Sequence, residues 1–327
     1  MRVFITGGTG SFGNAFVASC LETNSEVSEI VIFSRDEMKQ WEMADRYKRV
    51  TKLKFVIGDV RDTDALKAAM HGADFVIHAA ATKIVPVAEY NPVECIKTNV
   101  LGAVNVIDAV KHCGVPRTVA LSTDKACNPI NLYGASKLAS DKLFVAANLK
   151  STSSSFAVVR YGNVMGSRGS VIPFFRALNP ESPVPITDPA MTRFMISLEQ
   201  GVNLVWLAYR DMVGGEIYVK KIPSMRITEI ANVICPDKPQ QIVGIRPGEK
   251  IHEQMISAED AETTFSYDSY YKILPRLSDW HSDPARIKSG TPVQKNFVYD
   301  SGTNDEWMSE SELLQWLRHY ENENLIL

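Results

Sequence analysis

Short apolar runs alternate along this chain with longer stretches in which apolar residues return every three or four positions. Residues 2–5, 29–33, 54–57, 74–78, 118–123 and 156–160 are brief, apolar and rich in β-branched side chains, the pattern of strands buried on both faces. Between them, residues 14–21, 94–113 and 132–148 carry the helical period. Strand and helix in alternation, joined by right-handed crossovers, predict an α/β fold with one doubly wound parallel sheet. Residues 215–219 predict a further strand returning to that sheet, so a smaller C-terminal lobe would interleave with it. Ser309-x-x-Glu312 is a capping-box signal ahead of Leu313, Leu314, Trp316 and Leu317, a terminal amphipathic helix.

The first strand runs into Thr6-Gly7-Gly8-Thr9-Gly10-Ser11-Phe12-Gly13. Gly7 permits the tight turn, Gly10 lets the backbone approach a pyrophosphate, and Gly13 lets the helix pack closely on the strand. The N–H groups around Thr9, Ser11 and Phe12, where the helix opens, suit phosphate oxygens. This is the phosphate loop of a Rossmann dinucleotide fold. The second strand ends in Ser34-Arg35-Asp36, with Lys39 a turn later. Ser34, Arg35 and Lys39 read as a clamp for a 2′-phosphate, so NADP is the expected cofactor. Asp59 and Val60 follow the third strand, where the adenine would lie. Ala79 and Ala80 let a cofactor rest against backbone beyond the fourth, and Asn99 is expected on the same side. Lys83, just past a buried strand end, is poised for the pocket, whereas His78 inside an apolar strand reads as a satisfied structural histidine. On this reading residues 1–162, with a returning segment near 196–222, bind NADP, and residues 163–195 with 223–327 form the substrate lobe.

The fifth strand ends in Ser122-Thr123-Asp124-Lys125, followed by Tyr133 and Lys137. Ligands bind at the carboxyl ends of such strands. Tyr133 and Lys137, four apart, share a helix face, so the ammonium can lower the phenol's pKa until it accepts a proton from an alcohol. Oxidation of an alcohol by a nicotinamide needs only this pair and a hydroxyl, which Ser122 or Thr123 can supply. Asp124 and Lys125 are surplus to it. An acid and a base side by side suit removal of a C–H proton and expulsion of a hydroxyl, the dehydration of a transiently oxidised sugar.

Composition narrows the partners. The 327 residues suffice for one large α/β domain and a smaller lobe. A net charge of −3 without a long Lys/Arg run argues against nucleic acid or an anionic membrane. The five cysteines have no C-x-x-C spacing and read as reduced thiols, and no metal-ligand pattern is visible. The chain enters a strand at once, and no apolar run approaches the ~20 residues of a membrane span. A cytoplasmic protein without a signal peptide is expected.

Together, residues 6–13, 34–37, 57–62, 88–92, 121–131 and 160–170 resemble the extended short-chain dehydrogenase/reductase superfamily. Within it they look most like the inverting UDP-N-acetylglucosamine 4,6-dehydratases, which open pseudaminic acid biosynthesis for flagellin and surface glycans. Thr123-Asp124-Lys125 marks that branch, since the retaining dTDP-glucose dehydratases carry Asp-Glu there. Cys127 stands where the branch has Ala, and Ile84 where it has His. The resemblance implies a hydro-lyase with tightly held, internally recycled NADP, a UDP-sugar substrate and a homo-oligomer, dimer or higher. For the substrate it points to Lys83, Asn163, Arg168, Thr187, Met191, Arg193, Arg246 and Glu249, with the arginines on the diphosphate and Glu249 on ribose hydroxyls.

In the cycle this implies, Tyr133 takes the C4 hydroxyl proton, neutral Lys125 removes the C5 proton, and protonated Asp124 donates to the departing C6 hydroxyl. Tyr133 is the candidate for returning a proton to C5 from the opposite face. Two other readings stay open: a UDP-sugar 4-epimerase or dehydrogenase using only Thr123, Tyr133 and Lys137, and a non-catalytic NADP-binding sensor.

Overall fold

A computed structural model describes residues 1–23, 26–150, 153–167 and 169–322. Seven parallel strands build the main sheet: β1 (Arg2–Thr6), β2 (Glu29–Ser34), β3 (Leu53–Ile57), β4 (Phe75–His78), β5 (Arg117–Leu121), β6 (Ser155–Arg160) and β7 (Ile217–Lys220). Their spatial order is β3-β2-β1-β4-β5-β6-β7, so the winding reverses between β1 and β4, where such sheets open a crevice. The returning strand read from residues 215–219 is β7, paired in parallel with β6.

Three further strands extend this sheet beyond β7: β8 (Thr264–Ser266), β9 (Tyr270–Ile273) and β10 (Thr291–Pro292), all antiparallel to their neighbours. These residues were expected in the substrate lobe. Short and mixed in polarity, they lack the apolar run by which a buried parallel strand is read; β9 pairs with β7, β8 with β9 and β10 with β8, and only that pairing makes them sheet. The helix expected over 94–113 is also interrupted: Pro92–Ile96 and Gly102–Cys113 flank a π-helical turn, Lys97–Leu101.

Capping sets several helix starts. Asp36 accepts the Lys39 N–H at 3.0 Å, and Asp62 accepts those of Asp64 and Ala65, both at 3.0 Å. Gly114, at φ 64, ends the Gly102–Cys113 helix in the left-handed region. The main core joins both sheet faces, with Phe4, Phe33, Phe75, Phe144 and Phe156 fully buried. Burial of each such ring contributes about 1.5–3 kcal/mol. A second core, including Ile172, Phe175, Met195 and Ile230, lies in the smaller lobe. The helix Glu310–Asn322 buries Leu313 and Leu317 there, and Ser309 accepts the Glu312 N–H at 3.2 Å as its capping-box signal predicts.

Candidate active site

Beyond β5 the chain enters the 3-10 turn Asp124–Ala126, which Thr123 caps by accepting the Lys125 N–H at 3.3 Å. The helix Leu132–Ala147 starts at Asn131, whose side chain accepts the Gly134 N–H at 2.8 Å. Gly134 lets turn and helix touch, because a Cβ there would lie 2.2 Å from the Lys125 carbonyl oxygen. Thr123, Asp124, Tyr133 and Lys137 are thereby buried together, with Lys125 half-buried at their edge.

Thr123 donates to Asp124 Oδ1 at 2.9 Å, and the Lys125 ammonium donates to the same oxygen at 3.1 Å. The Thr123 hydroxyl also lies beside the Tyr133 phenol. Ser122 turns away, donating to Asp141 Oδ2 at 2.7 Å within the buried Asp141–Arg160 pair. The hydroxyl beside the phenol is therefore that of Thr123. Burial pushes the Tyr133 phenol up to about 12, while Lys125 and the Thr123 hydroxyl pull against it. The cation that pulls hardest on the phenol is Lys125, not the Lys137 expected from helix spacing. Burial lowers the Lys137 pKa, with Asp141 opposing.

A residue that sequence reasoning missed completes this group. Glu253 Oε1 lies 3.1 Å from Lys125 Nζ and 3.8 Å from Arg193 Nε. Asp124 and Glu253 are only 1 % and 2 % exposed, and Asp124 Oδ2 and Glu253 Oε2 have no hydrogen-bond partner. Burial lowers the Lys125 pKa, but Asp124 and Glu253 more than reverse this, and it is raised overall. The neutral lysine expected from desolvation is corrected to an ammonium held between two carboxylates. Burial raises the Asp124 pKa, Lys125 opposes, Glu253 adds to the rise, and the net direction is up. For Glu253, burial raises the pKa, but Lys125 and Arg193 hold it below the usual carboxylate range. The one trace of Glu253 in the sequence is a carboxylate entering the apolar strand Gln254–Ile256.

On the cofactor side, Gly7 has φ +66, and a Cβ on it would lie 2.8 Å from Ala80 Cα, so the loop meets the end of β4 where the winding reverses. Gly13 is pressed to the loop, its Cβ position 2.1 Å from the Gly8 carbonyl oxygen, whereas above Gly10 a Cβ would meet only the Gly7 carbonyl oxygen at 3.2 Å. Space stays open over Gly10, where Ser11, Phe12 and Gly13 begin a 13-residue helix with no acidic residue in its first turn. These residues fit a dinucleotide diphosphate. Thr9 and Ser34 hydroxyls bond at 2.8 Å. Asp36, the carboxylate nearest the β2 tip, is engaged as a helix cap and pairs with Lys39 at 2.7 Å. Arg35 is exposed and 3.6 Å from Asp59. A small hollow beside Thr9 is lined by Asn14, Lys39 and Arg46, the last a cation not singled out from sequence.

Other expected contacts are redirected. Asp59 is gripped by the Arg61 guanidinium at 2.9 and 2.7 Å, and Val60 is buried. Asn99 is buried in the π turn, its carboxamide exchanging hydrogen bonds with the Thr82 backbone at 2.8 and 2.9 Å and donating to Ser136 at 2.9 Å. It braces the loop after β4. The Arg193 guanidinium donates to the carbonyls of Thr192, Ile251 and Lys250, so it holds that segment and Glu253 in place of a diphosphate. Met191 packs in the second core, for want of any polar atom to leave it. Asn163 accepts from Lys125 at 3.5 Å, Thr187 donates to Glu249 at 3.5 Å, and Arg246, exposed, pairs with Glu249. Lys83 and Ala79 lie beyond β4, the lysine exposed. Arg168 lies outside the described residues. His78 shares a hydrogen bond with Thr6 at 2.9 Å, and burial drives its pKa down to about 3.

A glycine-rich loop at the reversal of a doubly wound sheet, with Tyr133 and Lys137 on the helix after β5, defines a short-chain dehydrogenase/reductase site. Residues 3–275 match the family described as Polysaccharide biosynthesis protein, and the chain belongs to that family. A UDP-N-acetylglucosamine 4,6-dehydratase (inverting) of Campylobacter jejuni serotype O:2 is 52% identical over 329 residues, covering 98% of both chains. A UDP-glucose 4-epimerase of Rickettsia canadensis is 44% identical over 280 residues, covering 83% of this chain and 82% of its own. Among solved structures, Pen from Bacillus thuringiensis superposes with a TM-score of 0.88 at 31% identity, covering 99% of this chain and 98% of that one. No helix among the described residues is long and apolar enough to cross a membrane.

Proposed function

We propose that this chain is a UDP-N-acetylglucosamine 4,6-dehydratase that inverts C5, giving a UDP-2-acetamido-2,6-dideoxy-hexos-4-ulose. The observation that carries this is buried Asp124 paired with half-buried Lys125 and set against Thr123 and Tyr133. The near-full-length likeness to the Campylobacter enzyme points the same way. A bound nicotinamide dinucleotide supplies the hydride acceptor for C4 and the hydride returned to C6. Gly7, Thr9, Gly10, Ser11, Phe12 and Gly13 would hold its diphosphate, and Asp59, Val60, Ala79 and Ala80 would border its adenosine half.

The protein's own part is movement of protons. Tyr133 accepts the C4 hydroxyl proton, with Lys125 and Thr123 favouring the phenolate and Lys137 holding positive charge on the same helix. A ketone at C4 acidifies C5–H, which Lys125 takes. Asp124, its pKa raised by burial, is the group to deliver a proton to the C6 hydroxyl, which leaves as water. Asn163, Arg246 and Glu249, with Arg168 and Lys83, are the candidate contacts for the sugar nucleotide. Five free cysteines suit a reducing cytoplasm, and exposed Val93, Ile96, Leu101 and Val104 suit a homo-oligomer.

The 4-epimerase reading is kept alive by the Rickettsia relative, and it would leave Asp124 and Lys125 idle. Turnover of UDP-N-acetylglucosamine in deuterated water separates the two. The dehydratase yields a 6-deoxy-4-keto product with deuterium at C5 by NMR; recovery of a 4-epimer without C5 exchange would favour the rival.

NADP is the preferred cofactor on this reading, because Ser34 replaces an acidic tip residue, Asp36 is engaged in its cap, Lys39 and Arg46 line the hollow by Thr9 together with Glu42, and Arg35 is exposed at the β2 tip. Arg35→Ala should cut the preference for NADP over NAD by roughly tenfold or more, the scale of a charge-assisted hydrogen bond of about 1.5–3 kcal/mol. Competitive binding titrations read this directly. Equal parental affinity for the two dinucleotides would remove the 2′-phosphate clamp.

A further inference from the structure

Lys125 faces a difficulty that its surroundings both create and resolve. An amine must take the C5 proton, yet Asp124 Oδ1 and Glu253 Oε1, each 3.1 Å from Nζ, hold it as an ammonium. The two carboxylates differ in company. Among the described residues Asp124 pairs with Lys125 and takes a hydrogen bond from Thr123, whereas Glu253 also faces Arg193, and Lys250 lies near. Two buried carboxylates sharing one ammonium cannot both ionise cheaply, so the side with the extra cations keeps the negative charge and Asp124 keeps a proton.

We propose that Glu253 is the positioning residue of the elimination, reaching Lys125 from the smaller lobe's side and receiving its ammonium proton, so that Lys125 meets the sugar as an amine. This rests on the dehydratase reading above. The step balances without any outside acid or base. A proton crosses from Lys125 Nζ to Glu253, leaving a neutral amine and a neutral carboxylic acid. Lys125 then takes the proton from C5, and the C–H electrons form the C5–C6 double bond as the C6–O bond breaks. Asp124 gives its proton to the leaving hydroxyl, and water departs. Asp124 ends as carboxylate, Lys125 as ammonium and Glu253 as acid, with the protein's proton count unchanged. Lys125, within 3.1 Å of both carboxylates, can pass the Glu253 proton back to Asp124 and reset the site. The first transfer runs against the resting preference, in which Lys125 and Arg193 keep Glu253 ionised, and bound sugar narrows that gap by excluding water from the Lys125–Glu253 ion pair.

Glu253→Gln tests this, since an amide of the same shape can hold the ammonium but cannot take its proton. With full-length protein, UDP-N-acetylglucosamine and NADP, we expect KM and single-turnover C4 oxidation, followed by reduced-cofactor absorbance, to stay within about threefold. Formation of the C5-deuterated product should fall by roughly 10²-fold. Glu253→Asp, which restores a carboxylate at greater reach, should recover part of that loss, and it decides the matter alone if the Gln variant does not fold. Elimination at the parental rate in both variants would overturn the proposal. So would an equal loss of KM, oxidation and elimination in both, the mark of a merely structural residue. A parental protein that makes no 4-keto product would sink the dehydratase reading itself, and the role of Glu253 with it.

Discussion

Lys125→Ala is expected to leave the fold and bound dinucleotide intact while slowing water elimination and C5 exchange by roughly 10²–10⁴-fold, the scale of a general base. Oxidation at C4 should suffer far less. Lys125 is the cation pulling hardest on the Tyr133 phenol, but the Thr123 hydroxyl beside it also pulls the phenol's pKa down and stays in place. Tyr133→Phe should behave oppositely, removing the acceptor of the C4 hydroxyl proton so that neither reduced cofactor nor any keto sugar accumulates. The two variants must stall at different steps, and rapid-quench analysis in deuterated water distinguishes them. If Lys125→Ala dehydrates at the parental rate, Asp124 and Lys125 have no part in elimination and the epimerase reading gains.

Gly13→Ala should produce the second large effect, through packing and not chemistry. A Cβ at Gly13 would sit 2.1 Å from the Gly8 carbonyl oxygen and 2.6 Å from Gly8 Cα, both backbone, so no side chain can yield. The opening helix must slide off the loop, at an expected cost of about 1–3 kcal/mol or more, and the N–H groups presented to the diphosphate move with it. Gly114→Ala is the control. Its φ of +64 strains an alanine, yet nothing lies within 4 Å of the added carbon. Thermal unfolding with and without NADP should show both variants less stable, with the cofactor-induced rise in Tm lost in Gly13→Ala and retained in Gly114→Ala. An undiminished rise in Gly13→Ala would mean that the loop tolerates displacement.

Arg193 shows where reading a residue type alone misleads. Three arginines in one lobe of an otherwise acidic protein suggest an anion, but the carbonyl partners of Arg193 at Thr192, Lys250 and Ile251 are visible only once the segments are packed. Asn99 is similar: the π turn at Lys97–Leu101 inserts a residue into a helix whose apolar period runs on unbroken, and that insertion aims its carboxamide at Thr82 and Ser136. Strands β8 to β10 were illegible because their identity as sheet comes from successive pairing outward from β7, in the order β9, β8, β10.

By itself the sequence determined what short-range geometry can determine. The strand–loop–helix bearing Gly7, Gly10 and Gly13, the helical neighbours Tyr133 and Lys137, and the Thr123-Asp124-Lys125 turn each lie within one local unit, where spacing and backbone sterics dictate placement. The tertiary structure alone decided their electrostatics. Glu253 and Arg193 reach Lys125 from far along the chain, and burial multiplies every charge they carry, so the pKa values of Lys125 and Asp124 are both raised by neighbours that no local pattern could announce.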